Sequence, residues 1–117
     1  MKPLKDKKIT IYRAIGENVS GFTKYKYQPI HTGQLWAYVR DMSTEEYSTA
    51  QIYGTKEEAV FTVNWRADIK VLMRIVFKGV WYEIKRMDGF EGYKDDLKLF
   101  VVRTHTPTDE DILPYKA

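Results

Sequence analysis

The sequence predicts an all-β protein, a small antiparallel β-barrel of about six strands with long loops and little helix. Three observations carry the prediction. The stretch from Met73 to Met87 reads as a tight hairpin with a self-consistent register. Short segments of alternating apolar and polar residues recur along the chain between turn-forming residues. No segment sustains the apolar stripe of an amphipathic helix.

Lys8-Ile-Thr-Ile-Tyr-Arg13 alternates with period two and forms the first predicted strand. Residues 14–33 hold Gly16, Gly21, Pro29 and Gly33 among polar side chains, which predicts a long connection of functional or partly mobile character. Leu35 to Asp41 is the second strand, with Leu35, Ala37 and Val39 facing one way and Trp36, Tyr38 and Arg40 the other. Residues 42–55 are polar. Ser43-Thr-Glu-Glu46 is a candidate capping box, but no apolar stripe follows, so a loop is expected. Ala59 to Arg66 is the third strand, with Phe61, Val63 and Trp65 on one face, and Ala67 to Lys70 is a turn or short helix.

The hairpin comes next. With Lys78-Gly79 at a two-residue turn, Phe77 faces Val80, Ile75 faces Tyr82 and Met73 faces Ile84 on one apolar side. On the other side Arg74 opposes Glu83 and Val76 opposes Trp81, an opposite-charge pair and an aromatic/β-branched pair of the kind that stabilises sheets. A one-residue slip destroys both patterns, so the register is specified. Residues 88–95 form another connection, Leu97 to Arg103 the last strand, and residues 104–117, with Pro107, Pro114 and the acidic Asp109-Glu-Asp111, a tail. A single domain over 1–117, with its core over about 8–103, buries its apolar faces most economically by closing into a barrel, which also removes exposed edges.

Composition narrows the function classes. The absence of Cys removes disulfides, thiol catalysis and cysteine-ligated metals. No apolar run approaches the roughly 20 residues that span a bilayer, and no membrane contact is expected. The net charge of +3 owes much to Lys2, Lys5, Lys7 and Lys8, so the rest of the surface is near neutral and lacks a demand for a basic nucleic-acid groove. The two histidines, His31 and His105, lack partners at metal-binding spacing and read as surface loop residues. Asp88, Glu91, Asp95 and Asp96 lack the spacing of a calcium loop, and Gly89 and Gly92 lack the Lys-Ser/Thr of a phosphate loop. No constellation supports catalysis, a cofactor or a metal, and an enzyme is not expected.

The outward aromatics Trp36, Tyr38 and Trp81, with Phe100, are either covered by the long connections and tail or form a contact surface. The accompanying charges, Arg40, Asp41, Glu83 and Lys85, are mixed rather than basic, which favours a protein interface over base stacking. The candidate interface is Trp36, Tyr38, Arg40, Arg74, Trp81 and Glu83.

The order of these segments carries a resemblance. Leu35-Trp-Ala37, then Glu46-Tyr47 and Ala50-Gln51, then Phe61-Thr-Val-Asn-Trp-Arg66, Asp68-Ile69, Met73-Arg-Ile-Val-Phe-Lys-Gly79 and Tyr82-Glu-Ile84 together resemble the phage head-tail joining family. These are the head-closure or stopper proteins of long-tailed phages and prophages. The resemblance runs from about Lys8 to Val102. It implies a small β-barrel that assembles with copies of itself as a ring in the virion neck, under the portal and its adaptor, after a soluble period in the host cytoplasm. Such a ring closes the DNA exit channel and offers a surface to a tail-completion or tail-tube protein, touching packaged DNA without sequence-specific contacts. It also implies a channel-gating loop, here Ser43, Thr44, Glu45, Glu46, Tyr47, Ser48, Thr49, Ala50, Gln51, Ile52 and Tyr53. The cationic N-terminal residues and the acidic tail would pair between neighbouring subunits or with the adaptor. Two other readings are an oligonucleotide-binding barrel for single-stranded nucleic acid and a neighbouring tail-completion protein.

Overall fold

A computed structural model describes residues 5–41, 59–89 and 96–116. The described residues form seven antiparallel strands: β1 Lys7–Val19, β2 Phe22–Pro29, β3 Leu35–Asp41, β4 Ala59–Asn64, β5 Arg74–Phe77, β6 Val80–Gly89 and β7 Asp96–Arg103. Their order is β2-β1-β3-β4-β7-β6-β5, and β5 returns to pair with β1. Six strands therefore close a barrel, and β2 stands outside it as the partner of an overlong β1. The polar loop expected at 42–55 lies outside the described residues.

Four of the five predicted hairpin pairs are observed, with Arg74 opposite Glu83, Ile75 opposite Tyr82, Val76 opposite Trp81 and Phe77 opposite Val80; beyond them the ladder becomes irregular, Ile84 bonding to both Leu72 and Met73. Lys78 and Gly79 both take positive φ, 51° and 77°, as a primed two-residue turn requires. The barrel interior is built from Ile9, Ile11, Ala37, Phe61, Val63, Ile75, Ile84, Leu97, Leu99 and Val101, with Ile69 entering from the turn before β5. At its centre the Phe61 ring meets Phe77 edge-on at 5.7 Å and Tyr82 at 5.4 Å. Alternation along β6 breaks at a bulge between Ile84 and Arg86, after which Met87 rather than Arg86 packs against the core. The same strand runs on to Gly89, two residues into the connection expected from residue 88.

The expectation of a long connection over residues 14–33 is corrected. β1 continues to Val19, Ser20 and Gly21 make a second tight turn at φ 51° and 84°, and β2 returns antiparallel to it from Val19↔Phe22 to Tyr12↔Pro29. The sequence hides this arm for a physical reason. Beyond the barrel wall most of its side chains are exposed, so no apolar period is needed; the two strands are joined by backbone pairing, an Arg13–Gln28 hydrogen bond at 3.2 Å and a Lys26–Glu17 ion pair at 3.6 Å.

β1 serves three partners in succession. Lys7–Ile9 pairs with β3, Thr10–Tyr12 with β5, and Tyr12 onward with β2. At the changeover from β3 to β2, Ile11 would leave two backbone groups unpaired. Its carbonyl accepts from the Ile30 N–H at 3.0 Å, and its own N–H donates to His31 Nε2 at 3.0 Å. His31 is thus 5% exposed and part of the barrel seam, not the surface loop residue its sequence context suggests.

Candidate assembly surfaces

The outer face of β5 and β6 carries half of the expected interface residues. Arg74 and Glu83 form an ion pair, Lys85 joins the same carboxylate, and Arg74 Nη1 also donates to Thr104 Oγ1 at 3.1 Å. Trp81 is 5% exposed: the tilted rings of Tyr12 and Tyr27 lie against it at 4.7 Å and 5.8 Å between centroids. The expectation that Trp81 is open to a partner or a base is corrected. The arm, unrecognised in the sequence, folds Tyr27 back over it, and burying this aromatic cluster outweighs leaving the indole wet. Arg74 completes the cover by lying 5.5 Å from the Tyr27 ring.

β3 presents the other half. Trp36 is 53% exposed with Lys8 Nζ 5.0 Å from its ring, while Tyr38 and Arg40 are half-buried beside it on the strand. In the barrel order β1 stands between β3 and β5, so the six residues occupy two separate arcs rather than one patch. The proposed gating residues, Ser43 to Tyr53, lie outside the described residues.

Among the described N-terminal cations, Lys5, Lys7 and Lys8 are each engaged within the chain. Lys5 pairs with Asp96 at 2.9 Å, Lys7 with Asp6 at 3.5 Å, and Lys8 with the Trp36 ring. The segment after β7, read as a tail, docks onto the arm. The Leu113 N–H donates to the Tyr27 carbonyl at 2.7 Å, Gln28 Nε2 donates to the Pro114 carbonyl at 3.1 Å, and Lys24 reaches Asp111 at 3.4 Å. Ile112 makes a parallel bridge to Tyr27, and Pro107 is buried. The alternation of tyrosines along β2, with Tyr25 and Tyr27 on one face, is the sequence signal that an arm with a covering side existed.

Between the arm and the turn before β5 lies an open cleft of about 470 Å³, bordered by Arg13, Tyr25, Lys70, Leu72, Arg74 and Glu83. Among the described residues no group of three or more His, Asp or Glu is placed to hold a metal ion. Among the described residues few titratable groups have displaced equilibria. Burial is the main force holding His31 below its ordinary range, with Arg66 acting the same way and Asp68 opposing it. The Arg66 guanidinium, bonded to Asp68 at 2.8 and 2.9 Å, holds that carboxyl low. Desolvation raises Tyr12. These shifts accompany structural contacts, not a convergent ionisable site.

Comparison with known proteins fits this surface-dominated architecture. The solution structure of protein SF1141 from Shigella flexneri 2a is similar in fold, with a TM-score of 0.64 at 18% identity, over 83% of this chain and 90% of that one. No curated protein matches the sequence. The profile of the family described as phage head completion protein matches residues 5–104, from the start of β1 through the whole barrel to the end of β7. The chain therefore belongs to the phage head completion protein family, and its role is a structural one related to the phage head.

Proposed function

We propose that the chain is a head-closure subunit. Copies assemble as a ring in the virion neck beneath the portal and adaptor, close the DNA exit channel after packaging and offer a seat to the tail. The observation that carries this reading is the family match across the entire barrel, 5–104. The closed barrel is a rigid body suited to being one segment of such a ring, because closure removes most sheet edges from competition with neighbours. Trp36, Tyr38 and Arg40 on β3 are the proposed contact residues of that surface, with the exposed Trp36 ring as its centre. Residues Ser43 to Tyr53 are the proposed gate, because a polar stretch without apolar stripe reorders at little cost in burial.

The experiment is a phage carrying a chain deleted for residues 43–53. The expected outcome is a purified protein that keeps its barrel by circular dichroism, and particles that package DNA but lose it on storage. Particles that hold their DNA as the parent phage does would sink the gating role. Particles that join tails normally without any copy of the protein would sink the head-closure role.

A further inference from the structure

The cleft beside the arm combines exposed apolar side chains, a large side chain in left-handed backbone and an excess of cations. Leu72 is 60% exposed, and Val71 beside it and Tyr25 across the cleft are also open to solvent. Leu72 sits at φ 75°, a left-handed conformation that a branched L side chain rarely adopts. Its backbone is held there because its N–H donates to the Ile84 carbonyl at 2.8 Å while the Ile84 N–H donates to the Met73 carbonyl at 2.9 Å, a bulge in which two residues oppose one. Glycine would satisfy that geometry without strain. The chain instead keeps a large apolar side chain there and points it at water, which is the pattern of a contact residue.

The cleft is also cationic. Among its described lining residues Arg74 and Glu83 form an ion pair, and Arg13 and Lys70 remain as an excess of positive charge, with Lys85 adding to the same carboxylate. Its charge complement lies elsewhere on the same chain. The 3₁₀ turn Asp109–Asp111 gives Asp111 to Lys24 and leaves the Asp109 and Glu110 side chains exposed at its crest, next to Ile112 and Leu113. This turn lies beyond the residues 5–104 shared with the family.

We infer that the cleft between the arm and the Lys70–Arg74 turn receives the acidic Asp109–Asp111 turn of a second copy of this chain. Lys70 faces the incoming carboxylates, and Leu72 and Tyr25 cover the apolar residues that follow them. Donor and acceptor surfaces differ, so the contact is heterologous and repeats from copy to copy, closing into a ring or running on as a filament. The cleft is far smaller than the roughly 800 Å² per partner of a standard stable interface, so a single contact is weak and gains strength by repetition. The inference rests on the ring reading for its biological setting, but the contact itself is a property of two copies in solution.

The absence of cysteine makes the test direct. The full-length variants Val71→Cys and Glu110→Cys are mixed and oxidised, and the disulfide dimers are sorted by mass. The expected result is a mixed 71–110 dimer about fivefold or more above random pairing. Adding Lys70→Glu to the Val71→Cys chain returns the mixture to random, and adding Asp109→Lys to its partner restores the excess. Leu72→Gly in the Val71→Cys chain leaves the melting temperature intact and lowers the excess several-fold. A random distribution, or an excess indifferent to Lys70→Glu, overturns the inference. Either of those results, with a deletion phage that still loses its DNA, leaves the head-closure reading in place.

Discussion

Two hairpins in this molecule share their turn chemistry and little else. The β1–β2 arm turns on Ser20-Gly21 and the β5–β6 hairpin on Lys78-Gly79, with all four residues at positive φ. One hairpin forms barrel wall, with Ile75 and Ile84 fully buried; the other leaves the barrel, and Phe22 at its tip is 78% exposed. A primed turn and a backbone ladder are thus what the two hairpins have in common. What differs is how strongly side chains enforce its register and whether the sequence announces it.

The sharpest way to break the comparison is the one residue that joins its two halves. Trp81 belongs to β6, yet the arm's Tyr27 and the adjoining Tyr12 bury it. Trp81→Ala is expected to cost about 3–5 kcal/mol in urea unfolding, and amide exchange in residues 12–29 should accelerate more than in the barrel strands. Uniform exchange would mean that the arm does not depend on this cluster.

The next effect tests the seam from which the arm departs. His31→Phe leaves the Ile11 N–H without its acceptor and is expected to cost about 1–3 kcal/mol at neutral pH. Acid should reproduce part of this loss in the parent protein. Burial holds the folded imidazole below its ordinary range, so the unfolded chain binds the proton more readily. Stability is then complete above the free imidazole's pKa of about 6.5 and falls as pH drops below it toward the depressed folded value. The Phe variant should lose that part of the pH dependence; an unchanged profile in denaturation midpoints from pH 7 to 5 would remove His31 as its source.

A smaller effect separates the two turns. Gly79→Ala and Gly21→Ala each place a Cβ at left-handed φ, at a cost of about 1–2 kcal/mol. In the barrel hairpin the cost should appear in global unfolding. In the arm it should appear as local fraying near residue 20, with the global midpoint little changed. The smallest effect is expected at the arm's tip, where Phe22→Ser should alter stability by less than about 0.5 kcal/mol in the same urea titration.

The sequence made the barrel legible wherever one face of a strand is buried. Leu35 to Asp41 alternates because Ala37 faces the core while Trp36 faces solvent, and its bounds were readable to the residue. The arm was illegible because residues 13–25 are mostly exposed on both faces, so neither face imposes a period. Arg74 and Glu83 were readable as a pair, since cross-strand partners follow from register alone. That Trp81 in the same ladder is closed to partners was not, because its cover comes from residues 54 and more positions earlier in the chain.

The sequence by itself therefore determined the strands of the barrel, the register of its hairpin and the class of the fold, because period-two alternation and turn stereochemistry act between near neighbours. Only the tertiary structure decided which outward side chains remain outside. Trp81 is buried under Tyr12 and Tyr27, and His31 is buried in the seam where it accepts from the Ile11 N–H, while Trp36 and Leu72 stay open. The physical reason is that exposure is settled by the second layer of packing. That layer depends on where the arm and the terminal segment come to rest, and no local pattern encodes it.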